Sequence, residues 1–192
     1  PDLVESLYTA FIHKYLTKES TLGLSDEAIN DVMWAYNKQA SLLMDSFQFE
    51  QTIELYEKAL KIKPDHVVIL GNYGNALSDR AKLKEDDDLF NKAFEQYEKA
   101  LKIKPDHDVF GNYGCALSDL AKLKEDEDLF NKAFELYGKA LKIQPDHADH
   151  LGNYGTALSD LAKLKKDEGL FNKAFDQYKK ALKIKPDNVN IL

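Results

Sequence analysis

Apolar residues recur at steps of three and four through most of the chain, and no stretch alternates apolar and polar residues at period two. Phe90, Ala93, Phe94, Tyr97, Ala100, Leu101 and Ile103 form one stripe; Leu70, Tyr73, Gly74, Leu77 and Ala81 form another, with Leu83 at its margin. Such spacing predicts amphipathic helices, because residues three and four apart share one face. The first stripe ends at Pro105, whose ring disfavours helical geometry in the residue before it, and Lys102 and Lys104 sit where a helix C-terminus attracts cations. Asp106 can cap the next helix. The acidic run from Glu85 to Asp88 suits the positive end of a following helix, with Asp88 and its counterpart Asp128 as the expected N-caps.

The pattern repeats. Prolines 64, 105, 145 and 186 fall 41, 40 and 41 residues apart, and Gly-Asn-Tyr-Gly occurs at 71–74, 111–114 and 152–155. The stretch from Leu89 to Asp128 returns almost unchanged from Leu129 to Glu168. Each unit reads as a pair of helices, and a unit of this size buries too few large apolar side chains to offset its own ordering entropy. Stability must come from stacking neighbours into a solenoid with an extended concave surface. The reading is a single domain over 1–192, with a capping region at 1–32 and hairpin units at 33–66, 67–107, 108–147 and 148–188. Residues 189–192 begin a further helix.

These residues resemble a tetratricopeptide repeat. Met33 to His66 fits the family's period of about 34 residues without a gap. Tyr36, Ala40 and Leu43 take the first-helix positions and Tyr56, Ala59 and Pro64 the second-helix ones, with Thr52 where Ala is usual. Gly74, Gly114 and Gly155 match the family glycine, and Ala93, Ala133 and Ala174 the small residue expected to face it. Four in-phase copies cover about residues 33–188, and the last three are lengthened to 40–41 residues, with the surplus between Ala81 and Leu89 and its equivalents. The surplus is close to two helical turns, so longer helices rather than a loose loop are expected. The resemblance implies an all-α, right-handed α-solenoid superhelix of antiparallel helix pairs, in which each unit's first helix lines the groove.

Both ends depart from the repeat. Leu3, Val4, Leu7, Tyr8, Phe11, Ile12, Tyr15 and Leu16 give residues 2–17 a broad apolar face, expected to cover the leading edge of the stack or to meet a partner. Ser25 can cap a helix running through Met44. Residues 188–192 look like the first turn of another unit, so Phe175, Tyr178 and Leu182 are expected to lack a covering helix.

The groove positions implied by the resemblance are polar. They are Asn72, Asn75 and Asp79 in the second unit, Asn112, Cys115 and Asp119 in the third, and Asn153, Thr156 and Asp160 in the fourth. Gly71, Gly111, Gly152, Ser78, Ser118 and Ser159 accompany them. Each asparagine amide offers donors and an acceptor, which suits the backbone of an extended ligand; the competing reading is that Asn72, Asn112 and Asn153 bond a neighbouring helix's backbone. Asp79, Asp119 and Asp160 would favour basic peptides, yet they also stand three residues before Lys82, Lys122 and Lys163, a spacing for weak surface pairs. Some relatives clamp a C-terminal carboxylate through lysine, asparagine and arginine. Here Asn37 or Gly71 takes the first lysine place and Asp149 and Asn153 the later basic ones, leaving only Asn75 and Asn112 as matches, so carboxylate clamping is not expected.

Composition removes several function classes. The 192 residues carry a formal charge of -7, which disfavours nucleic acid and anionic membrane surfaces. The longest wholly apolar stretch of note, Val67 to Leu70, is far too short for a membrane span, and Asp2, Glu5 and Glu19 break up the first twenty residues as a secretory signal. The cytoplasm is the default compartment. Cys115, the one cysteine, reads as a small filler rather than a nucleophile. His66, His107 and His147 repeat because the unit repeats. His147 and His150, with Asp146 and Asp149, could approach one ion, but two imidazoles without a third fixed ligand do not define a metal site. No base is paired with a nucleophile and no carboxylate pair shares a pocket, so the chain reads as noncatalytic, without cofactor or metal. It would be a scaffold binding an extended or helical segment of another protein in its groove. The alternative is a structural unit that oligomerises through its terminal helices.

Overall fold

A computed structural model describes residues 7–12 and 25–187. Residues 7–12 are helical and form the described part of α1. Eight helices follow: α2 (Asp26–Asp45), α3 (Phe49–Ile62), α4 (Val67–Lys84), α5 (Asp87–Ile103), α6 (His107–Lys124), α7 (Glu127–Ile143), α8 (Ala148–Lys165) and α9 (Glu168–Ile184). No strand occurs among the described residues. The remainder of the expected N-terminal helix, including Leu3, Val4, Tyr15 and Leu16, and the expected start of a further unit at 188–192 lie outside the described residues.

Each even-numbered helix from α2 packs most extensively on the helix that follows it, forming four hairpins. Successive first helices also touch, α2 on α4, α4 on α6 and α6 on α8, while the second helices make no comparable contact with one another. The first helices therefore line the inner wall of a right-handed solenoid and the second helices its outer wall.

The surplus length is helical. Between α4 and α5 only Glu85 and Asp86 remain outside helix, and the same holds for Glu125 and Asp126 and for Lys166 and Asp167. The reversal is made by a left-handed residue, Glu85, Glu125 or Lys166, with φ of 52°, 53° and 54°. The next amide reaches back to close the helix, Asp86 N–H donating to Ala81 O at 3.0 Å. Asp86 then caps α5 by accepting from Leu89 N–H, and Asp126 and Asp167 do the same for α7 and α9. Asp88 and Asp128 are not the caps. The tight reversal ends two residues earlier than the acidic run suggested, which puts Asp87 and Asp88 inside the first turn, facing the helix's positive end. Glu125→Gly is expected to raise stability by about 0.5–1 kcal/mol, because glycine meets no steric penalty at positive φ; urea titration measures it.

Other caps follow the sequence. Ser25 accepts from Ala28 N–H and Asp106 from Asp108 and Val109 N–H. Thr52 is fully buried and tolerates its place because its hydroxyl donates to Gln48 O at 2.9 Å. Leu83, at the margin of its stripe, is 67% exposed. In α1, Ile12 is buried, the Tyr8 ring meets Trp34 edge-on at 5.6 Å and Thr9 accepts from Gln39, so this segment lies against α2 at the leading edge.

In the last three hairpins the family glycine faces an aromatic ring rather than the expected alanine. A Cβ on Gly74 would stand 2.6 Å from Tyr97 Cε1, and Gly114 and Gly155 stand in the same relation to Tyr137 and Tyr178. Tyr97 and Tyr137 are almost fully buried and cannot yield. Gly138 has open space around it. Gly138→Ala is therefore expected to stabilise by about 1 kcal/mol through helix propensity. Gly74→Ala should destabilise by about 1–2 kcal/mol despite the same gain, since overpacking exceeds it. Paired melting curves check the difference in sign.

Candidate protein-binding groove

The tyrosines that pass over the glycines emerge on the inner wall, where each hydroxyl finds an acceptor one residue beyond the glycine. Tyr97 donates to Asn75 Oδ1 at 2.8 Å, Tyr137 to Cys115 Sγ at 3.3 Å and Tyr178 to Thr156 Oγ1 at 3.3 Å. Asn75, Cys115 and Thr156 thus anchor the groove floor as well as lining it. Burial pushes the Cys115 thiol up to about 11, so it stays protonated at neutral pH and is a poor nucleophile.

Asn72, next to Gly71, donates to Asn37 Oδ1 on α2 at 2.7 Å. The bond runs to a neighbouring side chain rather than to helix backbone. Asn153 shares a recess with Cys115, whereas Asn112 finds no partner among the described residues. Two recesses open on this wall. One, about 250 Å³, lies between α2 and α4 and includes Asn37, Asn72, Asn75 and Asp79. The other, about 210 Å³, lies between α6 and α8 and includes Cys115, Asp119, Asn153, Thr156 and Asp160. Asn112 lines neither.

The aspartates pair across units. Lys82 Nζ lies 2.8 Å from Asp119 and Lys122 Nζ 3.1 Å from Asp160, with only Lys163 and Asp160 keeping the spacing within one helix, at 3.2 Å. The offset between stacked first helices brings each lysine nearer the next unit's acid than its own. Asp119 and Asp160 thus have lysine partners, whereas Asp79 has no direct cationic contact among the described residues. Desolvation in the groove, with Asp119 nearby, raises its carboxyl above the ordinary range, and Lys82 opposes the rise.

A second polar cluster lies at the start of α6 and α8. His150 is 3% exposed, and burial together with His147 pulls its imidazole down to about 4; Asp108 and Asp149 oppose that shift and His107 adds to it. His147 and His66 cap α8 and α4, their Nδ1 atoms accepting from His150 and Ile69 N–H. Asp149 turns to Lys185 at 3.0 Å, so the grouping of His147 and His150 with Asp146 and Asp149 does not form. His107 and Asp108 stand beside the two histidines instead.

Stacked hairpins with small residues on a polar inner wall define a helical-repeat solenoid, a class built for contact with other proteins. Family comparison makes this specific. A model described as Tetratricopeptide Repeats-Sensor matches residues 48–158, more than half the chain, and one described as Tetratricopeptide repeat matches residues 151–188. The chain belongs to the tetratricopeptide repeat family, whose members act as scaffolds for protein–protein interaction. Among solved structures it is similar to MamA 41-end from Desulfovibrio magneticus RS-1, with 17% identity over 97% of each chain and a TM-score of 0.60. A crystal structure of MamA is 22% identical over 79% of this chain and 77% of that one, with a TM-score of 0.57. A thermophilic TPR protein in Thermus thermophilus, TTC0263, is 19% identical over 83% of this chain and 94% of that one, with a TM-score of 0.54. At these identities the likeness is one of fold. No curated protein matches the chain. No described helix is long and apolar enough to cross a membrane.

Proposed function

We propose that the concave wall formed by α2, α4, α6 and α8 captures an extended or helical segment of another protein. The observation that carries this reading is the open, polar inner wall, where recesses between successive first helices combine amide, hydroxyl and carboxylate groups with small neighbours. Asn112, without a partner among the described residues, contributes a complete amide to the ligand, and Asn153 contributes its exposed one. The word sensor in the family's description accords with a module that recognises rather than transforms. Because Asp119 and Asp160 are paired, preference for Lys or Arg on the ligand is local to Asp79 rather than spread along the groove.

Asn112→Ala combined with Asn153→Ala is expected to weaken capture by the intact chain without lowering the melting temperature. Unchanged capture would remove the amide ladder from the account. Basic and acidic peptides titrated at two salt concentrations then test the role of Asp79.

A second reading has its own support. Phe171 and Phe175 on α9 are 41% and 58% exposed, an apolar face suited to self-association. Sedimentation at several concentrations discriminates: a strict monomer excludes assembly through α9, and a dimer lost in Phe175→Glu with Leu182→Glu supports it.

A further inference from the structure

We propose that His107, Asp108 and His150 form a site for a divalent transition-metal ion, of the zinc type, that ties the third unit to the fourth. The candidate ligand atoms of these residues and of His147 all lie within 4.8 Å of one another. His107 Nδ1 is 3.3 Å from His150 Nε2 and 3.3 Å from Asp108 Oδ1, and His150 Nε2 is 3.6 Å from the same oxygen. Three donors bound tetrahedrally at zinc distances stand about 3.4 Å apart, so little movement is needed to seat an ion among them. Two imidazole nitrogens and one carboxylate oxygen are also a donor set that zinc accepts, with a fourth position left for water or an incoming ligand.

Copying of the repeat does not account for the cluster. Counted from Gly-Asn-Tyr-Gly, the residue two places before the first glycine is Ile69, Val109 and His150 in successive units. An imidazole thus occupies a buried place that is aliphatic elsewhere, and it fits because Gly111 leaves room; a Cβ there would overlap the His150 ring. The third unit is one residue shorter between its proline and its glycine. That deletion gives the cap to Asp106 and moves His107 into the first turn of α6, whereas His66 and His147 remain caps. At the preceding junction the places of His107, Asp108 and His150 hold Val67, Val68 and Val109.

His147 acts as a positioning residue. Its Nδ1 accepts from His150 N–H, so the neutral ring keeps its proton on Nε2, which lies 3.7 Å from Asp108 Oδ1 and directs the carboxylate toward the ion. Two ligands come from α6 and one from α8, so the ion would fix the angle between these helices. They are also the walls of the recess at Cys115 and Asn153.

The test is Zn2+ titration by calorimetry of the full chain, freed of affinity tags and stripped with chelator. One equivalent is expected to bind, and to raise the melting temperature by roughly 5 °C once in large excess over its dissociation constant. Co2+ in its place should give the intense visible absorption of four-coordinate geometry. His150→Val restores the residue that the third unit carries, so it should fold normally, and it should weaken binding about tenfold or more and cut the thermal shift to about half or less. Asp108→Asn, on an exposed side chain, should weaken binding comparably. Absence of a stoichiometric site, or binding that both variants leave unchanged, overturns the proposal.

Discussion

Tyr97→Ala is expected to lower the unfolding free energy by about 3–5 kcal/mol, the range for removing a fully buried aromatic ring from a packed core. The ring is enclosed on all sides, pressed against Gly74, stacked on Tyr113 at 5.3 Å and tied through its hydroxyl to Asn75. Collapse around the cavity would have to bring α4 and α5 closer, and neighbouring units resist that movement. Tyr97→Phe separates the two contributions. It keeps the ring and loses hydrogen bonds to Asn75 and Ser78, so a loss of about 1–2 kcal/mol is expected. Chemical denaturation with both variants measures the difference. A Tyr97→Ala loss no larger than that of Tyr97→Phe would mean that the glycine–tyrosine contact does not hold the hairpin together.

Acidification should produce the other large effect. The His150 imidazole is held at about 4 in the folded chain, against an ordinary value near 6.5. Between those values the unfolded chain binds the proton that the folded chain refuses, so stability rises with pH across the interval. The contribution is complete above about pH 6.5 and is lost progressively as pH falls toward 4, amounting to about 3 kcal/mol in all. His66, also lowered chiefly by burial, adds in the same direction. Carboxylates titrate in this range too, so the measurement is the difference between wild type and His150→Val in chelating buffer. The wild type should lose stability more steeply from about pH 7 to about pH 5. Parallel curves would place the His150 ring in an environment as solvated as the unfolded chain's.

The helices were legible in the sequence because burial of one face imposes a period, and copying displayed that period several times. Phe90, Ala93, Tyr97 and Ala100 are buried as the stripe in α5 requires. The reversal between the helices of a hairpin was harder to place. Glu85 and Glu125 take the left-handed conformation that glycine would have announced, and four consecutive acids offered more than one cap. The groove residues were legible as positions but not as partners. Lys82 with Asp119 and Lys122 with Asp160 depend on how far one first helix is offset from the next, which no pattern within a unit reveals. Nor could the spacing of alanines show that the glycines face Tyr97, Tyr137 and Tyr178.

The histidine cluster does leave a mark in the sequence. Six steps separate Pro105 from Gly111, against seven from Pro64 to Gly71 and from Pro145 to Gly152. That single missing residue rotates His107 out of the capping place and toward His150. Pairing His147 and His150 with Asp146 and Asp149 considers only neighbours in sequence, whereas the solenoid brings together the same end of successive first helices.

The most direct measurement follows the side-chain amides of Asn72, Asn112 and Asn153 by NMR while a captured partner segment is added to the intact chain. Capture by the inner wall predicts that these resonances shift together, Asn112 included, while those around Phe171 and Phe175 stay in place. Perturbation confined to α9, with the three asparagines unmoved, would contradict it.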